Sequence, residues 1–263
     1  MASRRGGEEE STGTLGKAVA VLETVALAER PMRFTDVLAA SGQPRGTLHR
    51  QLSHLLREGL LELGPDHAYV PGLRLLKLAS AAWARNELRA VAVPFLEALH
   101  RETGETVHLG VLRGGEIIYL DKVESRQAVR MNSQIGNASP VYCTGVGKAA
   151  LSVLDAPALE AVLSRLTFRR FTPHTLADRA ALEAELAEIR ASGVAFDREE
   201  HEPGIRCVAA PVHDGGRALV AAVSVTGPAY RVGPERLAEW APHVRAAARA
   251  VMGELAARLG PQR

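Results

Sequence analysis

The sequence predicts an α+β protein with a helical N-terminal part and a C-terminal part built on a largely antiparallel sheet. Apolar residues recur at helical spacing through the first 60 residues. From Glu105 onward they alternate with a period of two around glycine-containing turns. Helices are predicted after these strands, and strands grouped apart from helices are typical of an α+β fold rather than of repeated parallel βαβ units.

Composition narrows the class of protein. The 263 residues carry a formal net charge of +2 and are 46% hydrophobic and 4% aromatic, which fits one or two globular domains and disfavours base stacking on aromatic platforms. Two cysteines are too few for a disulfide framework, so we expect a reduced, cytoplasmic setting. No apolar segment resembles a signal peptide or a membrane span, and residues 1–12 are expected to form a disordered tail.

Segment 14–29 predicts a first helix. One face of that helix holds apolar residues at spacings of four, three and four, namely Leu15, Val19, Leu22 and Ala26. Pro31 ends the helix. Thr35 and Asp36 are typical of a capped start for a second helix, which runs through Ala40.

Pro44 suits the first turn of a third helix. Its leucines form one stripe, which consists of Leu48, Leu52, Leu55 and Leu56. Because the stripe must face a core, the opposite face is predicted to carry Thr47, Arg50, Gln51 and His54, with Arg45 at the helix start. Segment 31–57 holds four arginines and one aspartate, a local charge of 4 − 1 = +3. These side chains can donate hydrogen bonds to phosphates and base edges.

Two short apolar segments, 60–63 and 68–70, flank a Gly-Pro-Asp-His turn and predict a hairpin. Three helices followed by a hairpin are the layout of a winged helix-turn-helix, so we predict a DNA-binding part. We expect Arg45, Thr47 and Arg50 at the major groove, and His67 and Tyr69 near adjacent phosphates or the minor groove. The candidate DNA contacts are Arg33, Thr35, Arg45, Thr47, Arg50, Gln51, His54, His67 and Tyr69.

The remaining pattern predicts a winged helix-turn-helix over 13–72, a linker helix over 73–88 and a second domain over 89–263. A helix is expected over about 89–102, with a break near 88–93 because Pro94 is costly inside a helix. Later strands are predicted at 106–112, 116–123, 128–135, 204–212 and 217–226. Later helices are predicted at about 145–154, 157–165, 179–192 and 234–258.

Several long segments, in this order, make the chain resemble the IclR family of bacterial transcriptional regulators. They are GKAVAVLE (16–23), PRGTLHRQLSHLLREGLLE (44–62), LRLLKL (73–78), ETGETVHLGVLRGGEIIYLDKVES (102–125), YCTGVGKAALSVL (142–154), AFDREEHEPGIRCVAAPV (195–212) and VSVTGP (223–228). The resemblance implies a winged helix-turn-helix, a linker helix and a GAF-like effector-binding domain. It also implies dimers, or dimers of dimers, on (pseudo)palindromic operator DNA, controlled by small organic or aromatic acids.

The resemblance also implies an effector site. Carried over onto this sequence, its residues are Tyr142, Gly145, Val146, Asp197, Cys207, Ser224 and Thr226. Tyr142 stands where many relatives have histidine, and Thr226 stands where serine is common. The residue types suit a small carboxylate, because amides at a helix start hold an anion without a buried cation. Hydroxyls two apart on a strand, such as those of Ser224 and Thr226, share one face.

Alternatives remain open at the level of sequence. Cys207 alone is typical of a small core residue, and Asp197 alone would fit a solvated loop. A zinc-sensing regulator could use Asp197, His201, Cys207 and Cys143 in the same pocket. An enzyme that processes a small acid would need a base beside a cysteine, and no nucleophile motif indicates one. We therefore expect a regulator with no catalytic residues, no bound metal and no cofactor.

Overall fold

The computed structural model of the chain describes residues 13–129, 131, 133–214 and 219–259. The predicted tail over 1–12 and the two glycines of the turn predicted between strands 204–212 and 217–226 lie outside these residues. The chain forms two compact units that divide between Arg85 and Asn86. No helix in the described ranges combines the length and the apolar character needed to cross a membrane.

The N-terminal unit has the predicted helices and hairpin. Its elements are α1 (Gly13–Ala26), α2 (Phe34–Ser41), α3 (Arg45–Arg57), β1 (Leu61–Leu63), β2 (Tyr69–Pro71) and α4 (Leu73–Ala84). The two strands are antiparallel, with Leu63 opposite Tyr69. A single 3-10 turn, Pro65–His67, joins them, and its Asp66 and His67 have positive φ angles of 64° and 56°.

Helices α1, α2 and α3 pack around one core with the first hairpin strand. The buried residues of that core are Val21, Val25, Val37, Leu48, Leu52, Leu55 and Leu61. The apolar face predicted for α1 is not the buried one, because Leu15 is 76% exposed and Val19 is 43% exposed, whereas Val21 and Val25 are buried. Apolar residues occupy both faces of this helix, so spacing alone did not identify the buried one.

The predicted cap of α2 is also wrong in its details. Helix α2 begins one residue earlier, at Phe34, and Arg33 is its N-cap. The carboxylate of Asp36 accepts a hydrogen bond from the backbone N–H of Arg33 at 2.8 Å, which satisfies a donor at the helix start. Thr35 makes no cap contact and lies exposed in the first turn.

The expected break at 88–93 is wrong as well. Helix α5 (Glu87–Thr103) runs without interruption through Pro94. It starts where the side chain of Asn86 accepts a hydrogen bond from the Arg89 N–H at 3.0 Å. Pro94 and Ala90 are both exposed, so water can satisfy the carbonyl that proline leaves without a helical partner.

The C-terminal unit begins with α5 and is built on one sheet. Its other elements are β3 (Thr106–Arg113), β4 (Glu116–Val123), β5 (Ala138–Pro140), α6 (Gly145–Ser152), α7 (Ala156–Leu163), α8 (Arg179–Ser192), β6 (Ala195–Arg198), β7 (Ile205–His213), β8 (Val220–Pro228) and α9 (Pro234–Leu259). The strand order is β5-β4-β3-β8-β7-β6, and every neighbouring pair is antiparallel. The predicted antiparallel α+β fold is confirmed.

Segment 128–135 was predicted as a strand, and that prediction is wrong. Its described residues are irregular, and the strand β5 lies a few residues later, paired with β4. The ammonium group of Lys122 donates to the carbonyls of Met131 and Ser133 at 2.9 and 2.8 Å. These carbonyls are satisfied by a side chain instead of by a neighbouring strand.

The sheet is buried on both faces, and every residue of its central strand β8 is buried. Alternate side chains of a strand point to opposite faces. Thus Val223 and Val225 pack with α5 and α9, whereas Val220 and Ala222 pack in the second core with α6 and α8. This second face is where the strands and α6 enclose a cavity.

Candidate functional site

A cavity of about 260 Å³ lies between the sheet and the start of α6. Most of the residues that line it are polar. They are His108, Tyr119, Met131, Ser133, Asn137, Ala138, Ser139, Thr144, Gly145, Val146, Asp197, His201, Glu202, Ile205, Cys207, Ser224 and Thr226. The cavity therefore contains six of the seven predicted effector residues.

The start of α6 presents unpaired backbone amides to this cavity. The hydroxyl of Thr144 caps the helix by accepting from the Gly147 N–H at 3.2 Å. The amides of Gly145 and Val146 have no acceptor within the described parts of the chain. A Cβ on Gly145 would lie 2.7 Å from the sulfur of Cys207. Only glycine lets the helix approach the sheet this closely.

Three neighbouring strands place the predicted side chains in one row. Asp197 on β6 lies opposite Cys207 on β7, and Cys207 lies opposite Thr226 on β8. One step along the same face of β8, Ser224 lies opposite His108 of β3. Burial raises the pKa of the Cys207 thiol to about 12, so it stays protonated and packs as a small apolar group.

Asp197 is 5% exposed and belongs to a strand. The alternative of a solvated loop is therefore wrong, and β6, the strand that carries Asp197, is absent from the strands predicted from the sequence. One oxygen of Asp197, Oδ1, accepts from the Glu200 N–H at 2.8 Å. Burial raises the pKa of its carboxyl to about 7, because desolvation disfavours the charged form.

Tyr142 is the predicted effector residue that does not line the cavity. It is buried, and its hydroxyl donates to the carbonyl of Arg169 at 2.7 Å and accepts from the Arg169 N–H at 2.8 Å. Its ring lies 5.0 Å from that of Phe168. Tyr142 therefore anchors the segment after α7, and its extra bulk takes no volume from the cavity.

Sequence reasoning missed the far wall of the cavity. His108 Nε2 lies 2.7 Å from the Ser133 hydroxyl, and its ring centre is 5.0 Å from that of Tyr119. Burial lowers the pKa of His108 to about 3, so its ring is neutral. The sequence did contain a signal for this wall, since His108 stands among the apolar residues of β3. A buried polar side chain needs hydrogen-bond partners, so its position indicates a polar site nearby.

A buried ion cluster supports α6 from behind. Lys148 is fully buried, and its Nζ lies 2.6 and 2.7 Å from the two carboxylate oxygens of Glu200 and 3.0 Å from Glu185. This cluster connects α6 to α8 and to the segment after β6. Since Glu200 also donates its backbone N–H to Asp197, the cluster fixes the position of the cavity carboxyl.

The third helix has the predicted exposed cationic face. Arg45, Arg50 and His54 are exposed, and Thr47 is partly exposed. Gln51 is only 4% exposed, so its predicted place on that face is wrong. It lies three residues after Leu48 and four before Leu55, which is the spacing of the buried stripe.

The residues predicted for the wing lie in two settings. Tyr69 is held in a backbone bridge to Met32 through hydrogen bonds of 2.7 and 3.3 Å. His67 is exposed at the hairpin tip. A shallow concave surface next to α3 is lined by Phe34, Thr35, Arg45, Gly46, His49 and Tyr69. Arg33 is the N-cap of α2 and is exposed. It lies two residues before Thr35, which is in the first turn of that helix.

Three of the four residues named for a zinc sensor, Asp197, His201 and Cys207, line the cavity. The described residues contain no group of three histidine, cysteine, aspartate or glutamate side chains placed to hold a metal ion. Cys143 is fully buried next to α6 and outside the cavity lining.

These features define a DNA-binding protein of the winged helix-turn-helix class that carries a second, cavity-bearing domain. Residues 14–65 match the IclR helix-turn-helix domain, and residues 80–252 match the bacterial transcriptional regulator IclR C-terminal domain. The chain belongs to the IclR family of DNA-binding transcriptional regulators.

Curated relatives and solved structures of this family are similar to the chain over most of its length. The HTH-type transcriptional regulator XynR of Escherichia coli (strain K12) is 34% identical, with 85% of this chain and 89% of that protein covered. The transcriptional repressor IclR of the same strain is 32% identical, with 90% and 88% covered. An IclR homologue from Microbacterium hydrocarbonoxydans, complexed with 4-hydroxybenzoate, has a TM-score of 0.76 and 27% identity, with 93% and 99% covered.

The buried ion cluster yields a stability prediction. Lys148→Ala leaves the Glu200 carboxylate buried without its cation, so the free energy of unfolding should fall by about 3–5 kcal/mol. Urea denaturation of the full chain measures this. The matched control is Arg258→Ala, which removes an exposed partner of Glu254 and should cost less than about 1 kcal/mol. Equal, small losses in both variants would contradict a structural role for the cluster.

Proposed function

We propose that this chain controls transcription by binding operator DNA with an affinity that depends on a small organic acid in the C-terminal cavity. The observation that carries the proposal is the open start of α6. Its Gly145 and Val146 amides border a partly enclosed polar space and have no acceptor within the described residues. Such amides, at the positive end of a helix, stabilise a carboxylate.

The remaining lining fits the rest of a small acid. Hydroxyls of Ser224 and Thr226 and the neutral ring of His108 offer hydrogen bonds, while Val146 and Ile205 add apolar contact. This mixture is typical of small-molecule sites, where few polar groups orient a ligand. The relative bound to 4-hydroxybenzoate supports an organic, aromatic acid of similar size as one candidate effector.

DNA binding is assigned to the exposed face of α3. Arg45 and Arg50 supply charge for phosphate or base-edge contacts, and the hairpin tip around His67 is the candidate wing. The neutral groups Thr47 and Tyr69 flank these contacts. Such a helix reads one half-site of the DNA, and the two half-sites of an operator lie about 34 Å apart, which is one turn of the DNA helix.

A homodimer, or a dimer of dimers, would place two such helices on a (pseudo)palindromic operator in the bacterial cytoplasm. The exposed apolar residues of α4 support this assembly, since Leu73, Leu76 and Leu78 are 72%, 68% and 53% exposed. A second copy of this chain would cover them. The acid controls DNA binding if it binds better to one arrangement of the assembly than to another.

The DNA assignment is tested by Arg50→Ala. Loss of a guanidinium contact should weaken binding about 5- to 100-fold, measured by fluorescence anisotropy at fixed salt on a duplex that the wild-type protein selects from random sequences. Arg249→Ala, an exposed arginine of α9, is the control and should bind as the wild type does. If Arg50→Ala binds this duplex normally at matched salt, α3 is not the DNA-reading helix.

The ligand assignment is tested by a thermal-shift panel of monocarboxylates that includes benzoate, 4-hydroxybenzoate, pyruvate and glyoxylate. At least one should raise the melting temperature and change the affinity for the selected duplex. Ser224→Ala should weaken that acid about 3- to 10-fold through the lost hydrogen bond and leave acid-free DNA binding intact. Ser164→Ala, at the exposed end of α7, is the control. An acid that acts equally on both variants binds elsewhere.

A further inference from the structure

We propose that the carboxylate of the effector shares one proton with Asp197, so that the cavity selects small monocarboxylic acids and takes up a proton when it binds them. This inference rests on the proposed function and adds to it the ionic state of the ligand. It follows from the charges that surround the cavity.

No lysine or arginine is found among the described residues that line the cavity, whereas two carboxyl groups, Asp197 and Glu202, do line it. Two lysines near the lining are already held by other groups. Lys148 is held by Glu200 and Glu185 at 2.6 to 3.0 Å, and Lys122 is held by Glu124 and by the carbonyls of Met131 and Ser133 at 2.8 to 2.9 Å. Among the described lining residues, an incoming carboxylate therefore meets backbone amides and a buried acid, and no cationic side chain.

The geometry places that acid next to the amides. Asp197 faces Cys207 across the β6–β7 ladder, and the sulfur of Cys207 is against the Cα of Gly145. One oxygen of Asp197 accepts from the Glu200 N–H. The other oxygen, Oδ2, has no hydrogen-bond donor within the described parts of the chain, and the side chain is 95% buried at the cavity wall.

Two ionised carboxylates that lie close together in a buried site repel each other strongly. One proton between them replaces that repulsion with a charge-assisted O–H···O⁻ hydrogen bond. The balance is simple: the acid enters as its anion, Asp197 Oδ2 gains a proton from solvent, and no other bond changes. A second carboxylate on the ligand would find no such proton and, among the described lining residues, no cation, so we expect dicarboxylates to be excluded.

Burial shifts the pKa values of the histidines, the tyrosine and the cysteine around Asp197 away from neutral pH. Burial lowers the pKa of His108 to about 3 and also lowers that of His201. Burial raises the pKa values of Tyr119 and Cys207 to about 12. Arg198, on the same strand, is 59% exposed and directed to Glu185 at 3.7 Å.

The pKa of the Asp197 carboxyl, raised to about 7, sets the direction of the pH effect. Below this value the empty site already carries the proton, and the affinity for a monocarboxylate is constant. Above it the site must take up a proton to bind, so the affinity falls about tenfold for each pH unit. The ligand's own carboxyl is already ionised over this pH range, so it cannot cause this dependence of the affinity on pH.

Isothermal titration calorimetry tests this with the full chain and 4-hydroxybenzoate, and with pyruvate as a smaller second probe. Titration in buffers of different ionisation enthalpy gives the number of protons taken up. At about pH 8.5 the wild type should take up about one proton per acid, and at about pH 6 close to none. The amide 4-hydroxybenzamide should bind without proton uptake at both pH values, because its carbonyl can accept from protonated Asp197 at pH 6 and its NH₂ can donate to ionised Asp197 at pH 8.5.

Asp197→Asn is the decisive variant, since its amide keeps an acceptor for Glu200 and donates to the acid at every pH. It should bind the acid with the same affinity at pH 6 and 8.5 and with no proton uptake. Asp197→Ala should bind weakly at both. Uptake that persists in Asp197→Asn, or disappears in Glu202→Gln, would place the proton elsewhere and overturn the proposal. Absence of any acid binding at pH 6 would instead contradict the proposed function.

Discussion

The close contact between the start of α6 and strand β7 is the constraint on which the site depends. Gly145 lies against the sulfur of Cys207, and Gly147 lies so close to Val141 that a Cβ there would be 2.4 Å from its carbonyl oxygen. Both glycines let a helix start lie flat on a sheet. The amides that open the helix then border a partly enclosed space. Their attraction for an anion is stronger there than in bulk water, because bulk water screens charges more effectively.

The polar network behind the cavity gives this helix start a fixed position. Lys148 and Glu200 join α6 to the segment after β6, and the same glutamate orients Asp197 through its backbone amide. A buried ion pair contributes little net stability compared with apolar residues, but breaking it is costly. Its role here is geometric, because it fixes the distance between the amides and the buried carboxyl.

Much of this was predictable from sequence. The hairpin turns, the leucine stripe of α3 and the glycine at the α6 start each have a local cause, and the family resemblance supplied the cavity residues. The failures have physical reasons. Gln51 interrupts the apolar stripe that it belongs to, α1 is apolar on two faces, and the short strand β6 has too few residues for a period. The role of His108 depends on a contact with Ser133, 25 residues away, which no local pattern encodes.

The most direct test of the account is nuclear magnetic resonance of the backbone amides in the ¹⁵N-labelled chain as 4-hydroxybenzoate is added. If the open start of α6 holds the carboxylate, the amide resonances of Gly145 and Val146 shift the most, in the downfield direction expected for a new hydrogen bond to an anion. If those two resonances stay in place while others move, for example those in another surface depression that Arg113 and Arg165 line, the acid binds elsewhere and the central claim is wrong.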